Sequence, residues 1–334
     1  MPAPFRGWVR YVAGALVPAL LGLSATAPSP AEAPAPLALS AVGGTTFAGV
    51  HVTVWGTRAF HGYVPSTYRP GRPVPLLVAL HGCAEYLGHL EELSGLTALA
   101  EQRGFIVVYP EQNVLANPAK CWNWFLETNQ HRGVGEPSII AGITDRVRSG
   151  YAVDPRRIFV TGPSAGGVMA NIMAVTYPDV FAAAAILAGC EYSCDVTRLT
   201  APQAQGDKAY DEMGNRARPV PVIIFQGTAD LVVPPVTAER LLHQWVRAND
   251  LAADGVADGD IDAVADLTVP GQVPGGRSYT RSVYRTADGR DLIETVIIDG
   301  AGHAWPGGQG PLGDPAGPDA SAMQWDFFTA HPRP

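Results

Sequence analysis

One stretch near the middle of the chain restricts the fold more than any other: Val160-Thr161-Gly162-Pro163-Ser164-Ala165-Gly166-Gly167-Val168-Met169. The run Arg157-Ile158-Phe159-Val160 before it has β-strand character, and Val168 to Ala174 after it is rich in apolar helix formers. Between them lies Gly-x-Ser-x-Gly, the sequence of a sharp strand-to-helix turn that lifts a serine hydroxyl clear of the backbone. Gly162 and Gly166 suit such a turn because a Cβ at either position would collide with neighbouring backbone. The pentapeptide alone would also fit a glycine-rich connection with an idle serine. The strand before it and the helix after it favour the first reading.

The rest of the chain repeats the same alternation. Val50 to Val54 and Arg58 to Pro65 both alternate in polarity and read as a hairpin bent at Gly56. Pro75 to Leu80 and Phe105 to Pro110 are continuous apolar runs, as strands buried on both faces require. Helices are expected over Leu90–Arg103, Ser138–Ser149, Val236–Ala248 and Ala320–Ala330, with a turn at Asp154-Pro155-Arg156-Arg157. Ala182 to Leu187 and Pro221 to Phe225 are further strand candidates, the alanine run being compatible with helix as well. Residues 189–219 between them read as irregular. Ser278 to Tyr284 and Asp291 to Ile298 look like paired strands. Strands alternating with helices argue for an α/β fold: a mostly parallel central sheet with helices on both faces, in a single catalytic domain over residues 45–332.

Within that domain residues 250–278 read as an acidic surface insertion. Asp258, Asp260 and Asp262 resemble the start of a calcium loop, but Ala263 stands where the turn glycine belongs and Val269 where the final glutamate belongs. No metal is expected there. The net charge of −8, without a basic run, argues against a nucleic-acid partner. At the N-terminus, Arg6 and Arg10 precede a short apolar run, Tyr11 to Leu23, which small residues follow. This is the layout of a secretory signal peptide, continuing into an Ala/Pro leader over residues 1–33, and the run is too short to span a bilayer. An extracellular protein, free of membrane in its mature form, is expected. Export would allow the four cysteines to form disulfides, in any of three pairings.

A serine hydroxyl needs a base within hydrogen-bond reach, and the base needs an orienting group. In open α/β sheets such groups sit on loops at the C-terminal ends of strands. Asp230, in Gln226-Gly227-Thr228-Ala229-Asp230, leaves a buried strand directly. Asp195 and Asp179 compete with it but follow no strong strand as closely. His303 lies in the glycine-rich stretch after Ile298 and is the candidate base. His51, His61, His131, His243 and His331 look like surface or edge residues, and His81 precedes the serine. Ser164, Asp230 and His303 then follow the chain order of the α/β-hydrolase arrangement. The backbone N–H groups of Ala165 and of Cys83, in His81-Gly82-Cys83, are the expected oxyanion donors.

These residues resemble a family. Leu80-His81-Gly82-Cys83, Cys121-Trp122-Asn123-Trp124-Phe125, Gly162-Pro163-Ser164-Ala165-Gly166-Gly167, Gly227-Thr228-Ala229-Asp230 and Gly300-Ala301-Gly302-His303-Ala304-Trp305 are similar to segments of secreted esterases of the polyhydroxybutyrate depolymerase type, which include feruloyl and acetylxylan esterases. The resemblance implies an α/β-hydrolase fold, Ser164, Asp230 and His303 as a triad, and no cofactor. It implies a Cys83–Cys121 disulfide and, with it, Cys190–Cys194. It implies as partner an ester, either a hydroxyalkanoate oligomer or a related small or polymeric ester, with feruloyl or acetylxylan esters as the alternative. Trp122, Trp124 and Trp305 would line the acyl or aromatic subsite, with core packing as the alternative for all three and of equal weight for Trp122. Pro163 departs from the leucine usual in the family's elbow. With little chain after the last helix, no separate polymer-binding domain is expected. A serine peptidase and an inactive binding protein are the remaining rivals, and the intact triad argues against the second.

Overall fold

The computed structural model describes residues 43–86 and 88–334, and the expected leader lies outside them. Two strands, β1 (Thr45–Thr53) and β2 (Gly56–Val64), form the hairpin, turned at Gly56 with φ 127°. The apolar runs become β3 (Val74–Ala79), β4 (Ile106–Pro110), β5 (Val153–Pro163), β6 (Ala183–Leu187) and β7 (Val222–Gly227). After them come β8 (Leu267–Gln272), β9 (Ser278–Arg285) and β10 (Asp291–Ile298). All ten join one sheet in the order β1-β2-β4-β3-β5-β6-β7-β10-β9-β8. The pairings from β4 through β10 are parallel, and β1, β2, β8 and β9 extend the edges antiparallel.

Seven helices are described: α1 (His89–Ser94), α2 (Leu96–Arg103), α3 (Gly135–Gly150), α4 (Ala165–Thr176), α5 (Pro202–Met213), α6 (Val236–Asp254) and α7 (Ala320–Ala330). Alternate side chains of each strand point to opposite faces, and this divides the core in two. Leu76, Val78, Ile158, Val160, Val222 and Ile224 pack against α3, α4 and α6. Leu77, Ala79, Phe159, Ile223 and Phe225 pack against α1, α2 and α7. Of the strands buried on both faces, β3, β4 and β6 are apolar throughout, while β5, β7 and β10 also bury Thr161, Gln226, Glu294 and Thr295. This is the α/β-hydrolase architecture, in one domain.

Four local expectations are corrected. The helix over Leu90–Arg103 breaks at Gly95, whose φ of 65° ends α1 and starts α2. The turn expected at Asp154–Arg157 is the first part of β5. Residues 189–219 contain α5, a helix whose sequence is mostly polar; Gly206 lets it come close to α6, since a Cβ there would lie 2.8 Å from Gln244 O. The insertion over 250–278 opens with the end of α6 and includes edge strand β8. Its first acidic residue, Asp250, is buried, and its carboxylate accepts the N–H groups of Gly259 and Ile261 at 3.1 and 3.2 Å. Cys83–Cys121 and Cys190–Cys194 are both disulfide-bonded. Among the described residues no helix is long and apolar enough to cross a membrane.

Candidate active site

Ser164 sits between β5 and α4 with φ 54° and ψ −126°. A non-glycine residue at positive φ is strained and persists only where its surroundings hold it. The surroundings here are backbone at close range. A Cβ on Gly162 would lie 2.6 Å from Gly166 C, and one on Gly166 would lie 2.6 Å from His81 O. Pro163 ends β5 in register with Leu187, and the next N–H, of Ser164, donates to Leu187 O at 2.9 Å. The proline therefore leaves the link to β6 intact. Ala165 is the first residue of α4, so its N–H has no intrahelical acceptor.

Asp230 lies three residues past β7 with its side chain fully buried. One oxygen, Oδ1, accepts the N–H groups of Val232 and Val233, each at 2.8 Å. The other, Oδ2, is 2.7 Å from His303 Nδ1, with Gln226 Nε2 3.4 Å away. A carboxylate in that position accepts, so Nδ1 carries the hydrogen and Nε2 keeps its lone pair. The imidazole is 22% exposed, which leaves Nε2 reachable. Its loop is stitched to the one that bears Asp230. Ala229 N–H donates to Ala301 O at 2.9 Å, and Gly300 N–H donates to Thr228 Oγ1 at 2.8 Å. Gly227 permits this approach, because a Cβ there would lie 2.7 Å from Ala301 C.

Thus β5, β7 and β10 deliver Ser164, Asp230 and His303 to one edge of the sheet. The structure joins Asp230 to His303 by a hydrogen bond and forms none between Ser164 Oγ and His303. The loop after β3 completes the surroundings of the serine. The Cβ position of Gly82 is 3.5 Å from Ser164 Cβ, which puts His81-Gly82-Cys83 beside the hydroxyl. The disulfide to Cys121 ties this loop to the tryptophan loop.

The three tryptophans divide. Trp122 is 0% exposed and packs near the His81 ring, and Trp305 is 1% exposed with its Nε1 donating to Ser321 Oγ at 3.1 Å. Both are interior residues and line no open subsite, a correction to the expectation. Trp124 is half-buried and meets exposed Phe125 edge-on, centroids 5.6 Å apart. Sequence reasoning passed over Phe125, although it stands in the same aromatic block. It also passed over Glu136, a buried carboxylate that holds the tryptophan loop by accepting from Asn123 N and Nδ2 at 2.7 and 2.8 Å and from Arg58 Nη2 at 2.9 Å. Its only local signal was that of an ordinary acidic residue near a helix start.

Two buried titratable groups flank the serine. Burial holds the His81 imidazole below its ordinary value and pushes the Glu85 carboxyl above its own. No metal-binding set is formed at this edge among the described residues. Where Cys190, Glu191 and Cys194 converge, the thiols are spent in the disulfide and Glu191 pairs with Arg240.

A family model described as "Esterase PHB depolymerase" matches residues 59–260. Poly(3-hydroxyalkanoate) depolymerase C of Paucimonas lemoignei is 34% identical over 290 residues, covering 81% of this chain and 65% of that protein. An acetylxylan esterase of Coprinopsis cinerea is 31% identical over 71% of this chain and 62% of its own length. Feruloyl esterase B of Neurospora crassa is 29% identical over 81% and 92%. The chain therefore spans less than two thirds of the length of the first two relatives. Among solved structures, an acetyl xylan esterase from Aspergillus awamori superposes with TM-score 0.66 at 22% identity, covering 85% of this chain and 99% of that one. The feruloyl esterase module of Clostridium thermocellum superposes at 0.56 with 15% identity, over 90% and 93%. At such identities these two likenesses speak to the fold.

Proposed function

The chain belongs to the PHB depolymerase esterase family, and from that premise we propose that it is a secreted serine carboxylic ester hydrolase with residues 45–332 as its catalytic domain. One observation carries the reading: the Asp230–His303 hydrogen bond of 2.7 Å on the sheet edge that also bears a serine at positive φ. Ser164 Oγ attacks the ester carbonyl carbon while His303 Nε2 takes its proton. The tetrahedral oxyanion is met by the N–H groups of Ala165 and Cys83. His303 returns the proton to the departing alcohol oxygen, and the C–O bond breaks to leave the acyl group on Ser164. Water, deprotonated by the same nitrogen, then releases the acid. Asp230 holds the imidazole in its tautomer throughout.

The proposed substrates are hydroxyalkanoate oligomers. The relative with 34% identity is a poly(3-hydroxyalkanoate) depolymerase. The loops leaving the same sheet edge also carry exposed apolar side chains: Phe125 after β4, Leu199 after β6, and Leu231 and Val232 after β7. Such a rim matches an aliphatic polyester better than a sugar chain. Half-buried Trp124 with exposed Phe125 beside it favours a second reading, an aromatic feruloyl ester, which would stack there. The deciding measurements are p-nitrophenyl butyrate hydrolysis by wild type and Ser164→Ala, then kcat/KM for hydroxybutyrate oligomers, methyl ferulate and acetylated xylan. Equal rates for wild type and Ser164→Ala would sink the serine mechanism. A kcat/KM highest for methyl ferulate would replace the oligomer by the feruloyl ester.

A further inference from the structure

An oxyanion donor works only if it is aimed, and the aim of Cys83 N–H is set by the plane of the Gly82–Cys83 peptide. In a trans peptide the Gly82 C=O and the Cys83 N–H lie in one plane and point opposite ways. Glycine restrains neither of its own dihedrals, so that plane must be held from outside. Two buried side chains hold the two peptide planes that meet at Gly82, Glu85 the His81–Gly82 plane and His81 the Gly82–Cys83 plane. Glu85 Oε1 accepts the Gly82 N–H at 2.8 Å, and His81 Nδ1 lies 2.7 Å from Gly82 O. The His81 tautomer follows from Gln112, whose backbone N–H points at Nε2 from 2.9 Å. Nε2 accepts there, so Nδ1 donates to the Gly82 carbonyl. The next N–H along, of Ala84, is bonded to Ala119 O at 2.7 Å. Of these three consecutive N–H groups, that of Cys83 is the one without an acceptor among the described residues.

Glu85 holds its place under unfavourable conditions. It is buried, and its second oxygen, Oε2, makes no hydrogen bond. The nearest group able to carry positive charge is His89 Nδ1, 3.5 Å away and itself without a hydrogen bond. A half-satisfied buried carboxyl is costly, and the one firm bond it makes is to the glycine of the oxyanion loop. A Cβ on Gly82 would lie 2.7 Å from Glu85 Oε1, so the two residues are fitted to each other.

We propose that Glu85 is a positioning residue for the reaction: with His81 on the carbonyl side, it fixes both peptide planes of Gly82 and thereby aims Cys83 N–H at the oxyanion. This rests on the reading of Cys83 N–H as an oxyanion donor. Glu85 touches neither substrate nor nucleophile, so its effect falls on the transition state and not on substrate binding.

The test compares wild type, Glu85→Met, which removes the acceptor at similar length, and Glu85→Gln, which keeps an oxygen. Each is assayed for p-nitrophenyl butyrate hydrolysis and for inhibition by a simple alkyl boronic acid, which adds to the serine as a tetrahedral anion. Loss of a whole oxyanion donor costs about 100- to 1,000-fold in kcat, and misalignment of one should cost about 10- to 100-fold. For Glu85→Met the expected result is that loss with KM within about twofold, and a boronate inhibition constant weakened in parallel. Glu85→Gln should return kcat to within about threefold of wild type. Should Glu85→Met fail to fold, Glu85→Gln decides alone: recovery supports the assignment, and a loss of about tenfold or more overturns it. Wild-type kcat in Glu85→Met, or a loss confined to KM, also overturns it. Absence of esterase activity in wild type would instead remove the functional reading beneath it.

Discussion

Replacing Asp230 by asparagine tests the proposed acid–base pair of Asp230 and His303 with one atom changed. An amide has one acceptor oxygen where the carboxylate has two. At Asp230 the Oδ1 position receives two backbone N–H groups at 2.8 Å, and the Oδ2 position receives His303 Nδ1 at 2.7 Å. Putting the NH2 group at the Oδ1 position would break two hydrogen bonds and oppose donors to donors, at about 2–5 kcal/mol. The oxygen therefore stays with Val232 and Val233, and the NH2 turns to His303. A donor facing Nδ1 reverses the tautomer: Nδ1 accepts, Nε2 carries the hydrogen, and no base faces Ser164. Reversal of this kind lowers kcat by about 10,000-fold, or about 5.5 kcal/mol at 1.36 kcal/mol per decade. Because both backbone hydrogen bonds survive, Tm should change little. Steady-state p-nitrophenyl butyrate kinetics and calorimetry on Asp230→Asn measure both quantities. An Asp230→Asn enzyme that keeps a tenth or more of wild-type kcat with unchanged Tm would refute the tautomer argument and return Asp179 and Asp195 to consideration.

Three other expectations are independent of that one. Gly166→Ala puts a Cβ 2.6 Å from His81 O against backbone that cannot move freely, so it should cost about 3 kcal/mol and lower Tm by about 6–12 °C; a Tm within a degree of wild type contradicts the elbow geometry. Leu231→Asp changes a side chain that is 94% exposed, so stability should stay within about 0.5 kcal/mol while kcat/KM for hydroxybutyrate oligomers falls more than that for p-nitrophenyl acetate; equal effects on both remove the apolar rim from substrate binding. Burial raises the Glu85 carboxyl above its ordinary 4.5, so the folded state holds that proton more tightly than the unfolded state does. Its stabilising contribution is full below the unfolded value and is lost as pH rises through the folded one. The Tm of Glu85→Gln minus that of wild type should therefore grow as pH rises above the ordinary carboxylate value, and a flat or shrinking difference contradicts the raised carboxyl.

The sheet was readable because its central strands are buried on both faces and are therefore mainly apolar, with few polar exceptions such as Gln226 and Glu294. Pro75–Leu80, Phe105–Pro110 and Pro221–Phe225 all lie at or within two residues of observed strands. The glycines around Ser164 were readable for a related reason, since backbone at close range excludes every side chain. Helix α5 was not readable, because the face it buries is made of Gln205, Gly206, Ala209 and Met213, which include no large aliphatic or aromatic side chain apart from Met213. The tryptophans stayed open between core and subsite because an aromatic ring has the same sequence signature in both. Trp305 is committed to the interior by its bond to Ser321, sixteen residues away in α7.

Least readable of all was the polar wiring behind the His81-Gly82-Cys83 loop. Glu136, in the first turn of α3, accepts from Gln112 Nε2, and the Gln112 backbone N–H donates to His81 Nε2. His81 in turn grips the Gly82 carbonyl. These partners come from three elements far apart in sequence, so no window of residues contains the pattern. Burial gives each link its weight, because a buried polar group that loses its partner costs about 1–3 kcal/mol. The same chain makes the direction of Cys83 N–H depend on a carboxylate in α3 that touches nothing near Ser164. Removing Glu136 takes one hydrogen bond from Gln112 and two from Asn123, and so loosens the tryptophan loop to which Cys83 is covalently tied. A substitution at Glu136 should therefore lower kcat as well as Tm, whereas an equally buried change on the α7 side of the sheet should lower Tm alone.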